Sequence, residues 1–451
     1  MDPMTSQSHS GVLDRRRFLA AAAGGLLAPR PAMRGAQAGK PNVVVFLTDD
    51  LGYADIGPYG AKDIRTPNLD RLARQGVRFT DCYSNGPVCT PTRAGLMTGR
   101  YQQRVGLEWA ITPTDRGKGL PVRETTIARM LKDNGYATAL IGKWHLGAEV
   151  EYGPNAHGFD YFFGITGGNV DHYSHLNRLG DPDLWENTRR IERHGYMTDL
   201  IAERAVAWLD EHAKEPFFAY VAFNAVHWPF QPPGRPDLVR NPKTWYDGTR
   251  RDYAGMTESV DAAVGRVLAA LDRHGVAQNT LVIFTNDNGG ERLSDNQPTF
   301  HHKATLWEGG IRVPGLVRFP GRIPAGKNTP QVAISMDFAA TILAATGTQP
   351  PAGRTLDGID LLPVLRGQKP PADRTLFWRI DRADRKQKAA REGRWKYVRD
   401  GSIEMLFDLD RDPGERVNLG YRRPEVLARL RAAVDDWERE LAKNPPPFVV
   451  K

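Results

Sequence analysis

The chain has 451 residues, 40% hydrophobic and 25% charged, with a net charge of +8 and two cysteines. These are the values of a large globular protein with one big domain and a smaller one, and two cysteines without C-x-x-C spacing exclude a zinc site of that type. The basic residues are spread thinly, with no Lys/Arg block of the kind that marks a nucleic-acid arm, so no nucleic-acid partner is expected.

Residues 1–38 read as an export signal. Arg15-Arg16-Arg17-Phe18-Leu19 looks like a twin-arginine motif, an apolar run follows from Phe18 to Ala28, and Ala36-Gln37-Ala38 fits a small-residue cleavage site. Five Arg against two Asp in this stretch account for three of the eight net positive charges. The apolar run is too short to span a bilayer, so no stable membrane anchor is expected. A twin-arginine signal implies a folded cargo, a translocase of that type as partner, and a periplasmic or secreted location. Folding in a reducing cytosol also fits the scarcity of cysteine.

From residue 39 onward, apolar runs alternate with helical patterns, the mark of an α/β domain with a largely parallel sheet. Asn42–Thr48 is a continuous buried-strand run, and Asp49-Asp50 follow it directly. Adjacent carboxylates repel each other unless a cation lies between them; a helix cap or solvated turn is the simpler reading of the pair alone. Thr66 and Pro67 then open a helix as N-cap and first residue, and Gly76 closes it. Cys89 heads the pentapeptide Cys89-Thr90-Pro91-Thr92-Arg93. Thr90 and Pro91 read as an N-cap and first helical residue, which puts Cys89 at a helix N-terminus where anions are favoured. Taken alone, a free cysteine is most often a small core residue, and a Cys82–Cys89 disulfide is the other plain reading.

Tyr136–Ile141 is the second strand, followed by Gly142-Lys143-Trp144-His145-Leu146-Gly147. Phe217–Phe223 is the third, with His227 shortly beyond its end. Met256–His274 is a helix with Val260, Val264, Val267, Leu268 and Leu271 on one face. Leu281–Thr285 is the fourth strand, and Asp287-Asn288 follow it. Three carboxylates and an amide oxygen at two strand ends make an oxygen-rich site that favours Ca²⁺ or Mg²⁺. Lys303 precedes a Thr305–Pro314 segment in which Glu308-Gly309-Gly310 reads as structural. Trp109, Trp185, Trp228, His172, Tyr173 and His175 fall in loops expected around the mouth of a site. A Pro-rich linker near Gly367–Ala372 separates a catalytic domain over 39–371 from a small α+β domain over 372–451. The latter has strands at Thr375–Ile380 and Trp395–Arg399 and a helix from Pro424 to Ala442.

The pentapeptide resembles the C-x-P-[ST]-R core of the sulfatases, and the Gly142–Gly147 and Thr305–Pro314 segments are similar to segments of the same family. So is Phe407-Asp408-Leu409-Asp410-Asp412-Pro413-Glu415 near the C-terminus. The resemblance runs in family order from Asn42 to Asn418. It implies an alkaline phosphatase-like fold: a large, mostly parallel sheet sandwiched by helices, with a smaller C-terminal domain carrying an antiparallel sheet.

The resemblance also implies a mechanism. Cys89 would be oxidised to formylglycine by a cytoplasmic formylglycine-generating enzyme, before folding and export. Asp49, Asp50, Asp287 and Asn288, with residue 89, would hold one divalent cation, Ca²⁺ first and Mg²⁺ second. A hydroxyl of the hydrated aldehyde would attack sulfur and form a covalent sulfo-enzyme. Lys143 and Lys303 would hold sulfate oxygens, His227 with Lys303 would protonate the leaving group, His145 would take a proton from the second hydroxyl, and Arg93 would steady the hydrate. The expected substrate is a small-molecule or oligosaccharide sulfate ester, with sulfated carbohydrates first and small aryl sulfates second. A phosphonate or phosphodiester hydrolase of the same superfamily and, with Cys89 unmodified, a non-catalytic binder of sulfated glycans are the other readings. The loop Gly164–Asn169 departs from members that place a serine or other polar residue on the sulfate, with Thr166 or Asn169 as substitutes.

Overall fold

The central strand, Asn42–Thr48, is apolar along most of its length because both of its faces are covered. Val43, Val45 and Leu47 point to one side of the sheet, Val44 and Phe46 to the other. In the computed structural model, which describes residues 39–238 and 241–451, this strand lies inside a ten-stranded sheet. The twin-arginine and cleavage-site readings fall on residues 1–38, outside the described residues.

Five strands make the parallel centre, in the order Thr280–Asn286, Asn42–Thr48, Phe217–Ala222, Ala137–Lys143 and Tyr161–Ile165. Gly315–Arg318 and Val77–Phe79 extend one edge with antiparallel partners, Lys327–Thr329 joins parallel beyond them, and Trp185–Glu186 and Arg189–Arg190 extend the other edge. Helices Pro67–Arg74, Met197–His212 and Arg250–Arg273 pack on one face of the sheet. Helices Cys89–Thr98, Ile127–Asp133 and Ser335–Thr346 pack on the other. This is the sandwiched, mostly parallel α/β architecture expected from the sequence.

Two local expectations are corrected. Thr66 does not cap its helix. Its hydroxyl accepts from the Gly57 N–H at 2.7 Å, and the first-turn N–H groups of Asn68 and Leu69 donate instead to Asp261 of the neighbouring helix at 3.1 and 2.8 Å. The helix expected from Met256 begins at Arg250, closed by a reciprocal capping box between Thr249 and Asp252.

The C-terminal segment forms a four-stranded antiparallel sheet in sequence order, Thr375–Asp381, Lys386–Glu392, Trp395–Asp400 and Ile403–Asp408. Helix Pro424–Ala442 covers one face through Leu430 and Val434 against Ala390, Tyr397 and Leu406. The other face shares an apolar cluster with the main body, where Trp378 and Val398 meet Tyr83, Leu306 and Ile334. Among the described residues, no helix is long and apolar enough to cross a membrane.

Candidate active site

The parallel register brings the polar residues together. Thr48 pairs with Asn286, so Asp49 and Asp287 leave adjacent strands side by side, and the Asp287 N–H donates to the Thr48 carbonyl at 3.2 Å. Lys143 is the last residue of the next strand but one, and His227 follows the strand between. These are the carboxyl ends of the strands, where open α/β sheets bind their ligands. Gly142 is required just before Lys143. Its φ is +120°, and a Cβ there would lie 1.8 Å from the Ala222 carbonyl oxygen of the adjoining strand. Asp50 and His145 hold left-handed backbones at φ +61° and +57°, as does Ala304 beside Lys303 at +68°. Such conformations gather at functional sites when surrounding contacts enforce them.

Cys89 is the first residue of its helix, two positions deeper than expected, with Val88 as N-cap. The reason is Thr90, whose hydroxyl turns away from its own helix to donate to the His145 carbonyl at 2.9 Å. Pro91 then stands third in the helix, where its missing N–H removes no helical bond. Cys89 is 2% exposed, and its Sγ lies 3.3 Å from Asp49 Oδ1. Burial, then the Asp287 and Asp49 carboxylates, push the thiol far above its ordinary range, so an unmodified Cys89 is a protonated thiol at neutral pH. Cys82 is also free and buried, in the strand Cys82–Tyr83, and the two cysteines form no bridge.

Each remaining candidate has a defined partner. Lys143 Nζ donates to Asp49 Oδ2 at 2.5 Å. Lys303 Nζ lies 2.7 Å from Asp50 Oδ2 and 2.6 Å from Oδ1. Burial opposes both charges of that pair, but the attraction wins on both sides. Asp50 is held down to about 2, chiefly by Lys303, and the Lys303 ammonium is raised by Asp50. Arg93 is fully buried and does not reach the surface; Nε and Nη2 donate to Asp287 Oδ2 at 3.0 and 2.8 Å, and Nη1 to the Lys143 carbonyl at 2.9 Å. Asp287 is nevertheless pushed up to about 6, first by burial and then by Asp49.

The two histidines are oriented by backbone carbonyls. His227 Nδ1 faces the Trp228 carbonyl at 2.7 Å, leaving Nε2 3.5 Å from Asp50 Oδ2. His145 Nε2 faces the Ile111 carbonyl at 2.8 Å, and its Nδ1 is buried without a partner. Burial and Lys303 hold His227 down to about 3, and burial and Lys143 hold His145 well below its ordinary value, so both rings are neutral.

The donor set fits a hard divalent cation. Ligand atoms of Asp49, Asp50, Cys89 and His227 all lie within 4.8 Å of one another. Beside them, Asp287 Oδ1 and Asn288 Oδ1 are buried without partners, while the Asn288 amide nitrogen is committed to Asp50 Oδ1 at 2.8 Å. Buried, unpaired oxygens next to carboxylates call for a cation. Asp49, Asp50, Asp287 and Asn288 are the oxygen donors expected with Cys89 around a cation; His227, expected at the leaving group, also lies among these ligand atoms.

A cavity of about 680 Å³ opens above Cys89, with His145, His227 and Lys303 also in its wall. Trp109 and Trp228 line it as expected. Trp185 does not, and His172 and His175 are buried, His172 packing against Tyr196 at 5.6 Å between ring centroids. Thr166 and Asn169 line the cavity, Thr166 with its hydroxyl hydrogen engaged and Asn169 with one of its two amide hydrogens engaged. The Thr166 hydroxyl donates to Asp183 at 2.9 Å, and one Asn169 amide hydrogen goes to the Trp228 carbonyl at 3.1 Å. Asp183 was not singled out in the sequence. It accepts from both Thr166 donors, Gly167 N–H and Trp185 Nε1, and so fixes the Gly164–Asn169 loop. A larger depression of about 790 Å³ near Trp208 and His212 lies at the opposite, amino ends of the strands, beside Ala137 and Tyr161, and has none of this chemistry.

Residues 41–348 match the sulfatase family, and residues 297–440 match the segment described as N-sulphoglucosamine sulphohydrolase, C-terminal. The chain is 32% identical to N-acetylgalactosamine-6-sulfatase of Canis lupus familiaris, over 91% of this chain and 88% of that protein. It is 34% identical to arylsulfatase A of Bos taurus, over 89% and 88%. The crystal structure of Ps i-CgsB in complex with k-i-k-neocarrahexaose superposes with a TM-score of 0.83 at 31% identity, covering 91% of this chain and 95% of that one.

Proposed function

The chain belongs to the sulfatase family and is a sulfuric ester hydrolase, and on that premise we propose that it desulfates carbohydrates using formylglycine at position 89 and one bound cation. The observation that carries this reading is the setting of Cys89. A thiol that burial keeps protonated stands 3.3 Å from Asp49, among Lys143, Lys303 and two neutral histidines. That setting leaves a thiol inert, and with a cation among the carboxylates it suits an anionic centre. Its Sγ stands in for a hydroxyl of the hydrated aldehyde.

When present, the hydrated aldehyde supplies one hydroxyl to attack sulfur and a second to release sulfate, and the cation supplies charge to the sulfate oxygens. Asp49, Asp50, Asp287, Asn288 and residue 89 hold the cation; Ca²⁺ is favoured by the number of carboxylate oxygens. Lys143 and Lys303 bind the sulfate oxygens where negative charge accumulates. Arg93 fixes the Asp287 carboxylate and the end of the Lys143 strand. His145 is held by the Ile111 carbonyl with its proton on Nε2, which leaves the Nδ1 lone pair to take a proton. His227 carries a proton on Nδ1, and Nε2 faces Asp50. A bound sulfate ester brings negative charge beside this ring, which raises its affinity for a proton. The Nε2 proton then passes to the departing oxygen, with Lys303 alongside.

A carbohydrate leaving group is supported by the aromatic rim of Trp109, Trp228 and Tyr246, by the N-acetylgalactosamine-6-sulfatase relative, and by the oligosaccharide complex of the Ps i-CgsB structure. Twin-arginine export to the periplasm or beyond, with conversion by a cytoplasmic enzyme, belongs to the same proposal.

Mass spectrometry of the peptide containing residue 89 tests the reading together with sulfate release from sulfated mono- and oligosaccharides. The peptide should be lighter than its cysteine form, because a carbonyl oxygen replaces the thiol, and Cys89→Ser should keep the fold and lose turnover. A cysteine mass in fully active enzyme would remove the proposal.

A further inference from the structure

One wall of the cavity carries more positive charge than sulfate transfer requires. It runs outward from the reacting centre in a fixed sequence of rings. The His227 ring centroid lies 4.4 Å from that of Trp228, and Trp228 lies 4.4 Å from Tyr246. Arg178 lies over both outer rings, its guanidinium carbon 5.8 Å from the Trp228 centroid and 5.6 Å from that of Tyr246. The Trp228 backbone is held on two sides, by Asn169 Nδ2 at 3.1 Å and His227 Nδ1 at 2.7 Å on its carbonyl.

A guanidinium lying on aromatic faces is pre-organised while its N–H groups stay available. Among the described residues, no carboxylate lies within ion-pair distance of Arg178. Arg116, Arg190 and Arg385 line the same cavity and are exposed. Of the carboxylates in that wall, Asp183 is occupied by its four donors, and Asp181 and Glu291 remain. The balance is cationic, and Arg178, which lies over two rings, is on the leaving-group side, beyond His227.

We propose that Arg178, seated on Trp228 and Tyr246, binds a second anionic group of the substrate: a sulfate or carboxylate on the sugar that leaves, or on its neighbour. The proposal rests on the sulfated-carbohydrate reading above and adds a selection rule to it. A sugar whose oxygen receives the His227 proton lays a ring face against Trp228, and its next anion then meets Arg178. A substrate with a single sulfate leaves Arg178 unused.

Three disaccharide probes test this: one with a single sulfate and no other charge, one with two sulfates, and one with a sulfate and a uronate carboxylate. Binding is read by calorimetry on the full chain carrying Cys89→Ser, and turnover by released sulfate on the unsubstituted chain. At least one two-anion probe should bind about fivefold or more tightly than the single-sulfate probe. Adding Arg178→Ala should erase that ratio, and Arg178→Lys should keep part of it. The probe that shows the ratio tells sulfate from carboxylate. A ratio near one with Arg178 in place, or a ratio that survives Arg178→Ala, overturns the proposal. An Arg178-dependent ratio with no sulfate released from any probe would count against the function reading alone and leave the anion site standing.

Discussion

Arg93 places two nitrogens on a single oxygen of Asp287, Nε at 3.0 Å and Nη2 at 2.8 Å, and leaves the other oxygen of that carboxylate unpaired. Both side chains are fully buried. One oxygen is thereby assigned to structure and the other to a ligand. Arg93→Ala would strand a buried carboxylate and is expected to destabilise the protein by about 3–5 kcal/mol. Arg93→Lys keeps the charge but not the two-nitrogen contact or the bond to the Lys143 carbonyl, and should fall between. Urea unfolding midpoints of the three proteins check this order.

Removing divalent cations should lower the melting temperature, because Asp49, Asp50 and Asp287 then face one another with only Lys143, Lys303 and Arg93 as counter-charges. Saturating cation stabilises by about 3 kcal/mol at a hundred times its dissociation constant. Calcium should restore the melting temperature at a lower concentration than magnesium, since three carboxylates and an amide oxygen offer it many oxygen ligands. Differential scanning calorimetry after chelation and titration back decides it. No change on chelation would remove the cation from the site.

His157 sets a pH dependence of stability away from the site. It is buried against Trp144, with ring centroids 5.5 Å apart, and burial holds it down to about 4 against an ordinary 6.5. The unfolded chain therefore takes up this proton first as pH falls. The stability contribution is complete above pH 6.5 and is lost as pH drops towards 4, by at most about 3 kcal/mol. His157→Phe should flatten the decline between pH 6.5 and 4 in denaturant titrations, and an unchanged slope would contradict the assignment.

The C-terminal sheet holds the segment that carries Lys303. Gln387 Oε1 accepts from the Leu306 N–H at 2.9 Å, its amide nitrogen is fixed by Asp400 at 2.7 Å, and Arg385 donates to the Ala304 carbonyl. Gln387→Leu leaves a buried N–H without an acceptor, at about 1–3 kcal/mol. Faster hydrogen exchange over residues 297–307 and a several-fold fall in kcat are expected. Gln387→Glu combined with Asp400→Asn, which keeps the acceptor and the bond behind it, should recover much of both. Exchange confined to the C-terminal sheet would mean that Gln387 serves stability alone.

What was legible in the sequence follows from how local each signal is. The strand Asn42–Thr48 and the helix Pro424–Ala442 have the expected bounds, because a continuous apolar run and an amphipathic repeat bounded by proline are local patterns. Asp49, Asp50, Lys143, Asp287 and Asn288 meet because parallel strands end at the same level, and strand ends can be read from a sequence; Cys89 joins them from the first turn of its helix. Capping could not be read in the same way. The hydroxyls of Thr66 and Thr90 are taken by Gly57 and His145, partners distant in the chain. Lys386–Glu392, with four charged residues in seven, has no apolar alternation and is a strand only because two neighbours pair with it. Asp183 and Arg178 look like ordinary loop residues until the fold places one beneath the Thr166 loop and the other over two aromatic rings.

The order of strands in the sheet also bears on time. Asn42–Thr48 is made early, yet its neighbours on both sides are Phe217–Ala222 and Thr280–Asn286. Asn288 lies 199 residues after Cys89. At about 5–20 residues per second, a ribosome needs roughly 10–40 s to cover that distance. Through that interval the carboxylates that enclose residue 89 have no complete sheet to stand on, and the pentapeptide remains part of an open nascent chain. Under the formylglycine proposal, strand order gives the converting enzyme a window set by the rate of translation. Speeding translation of residues 89–288, or slowing that enzyme, should lower the converted fraction without altering a single contact in the finished protein.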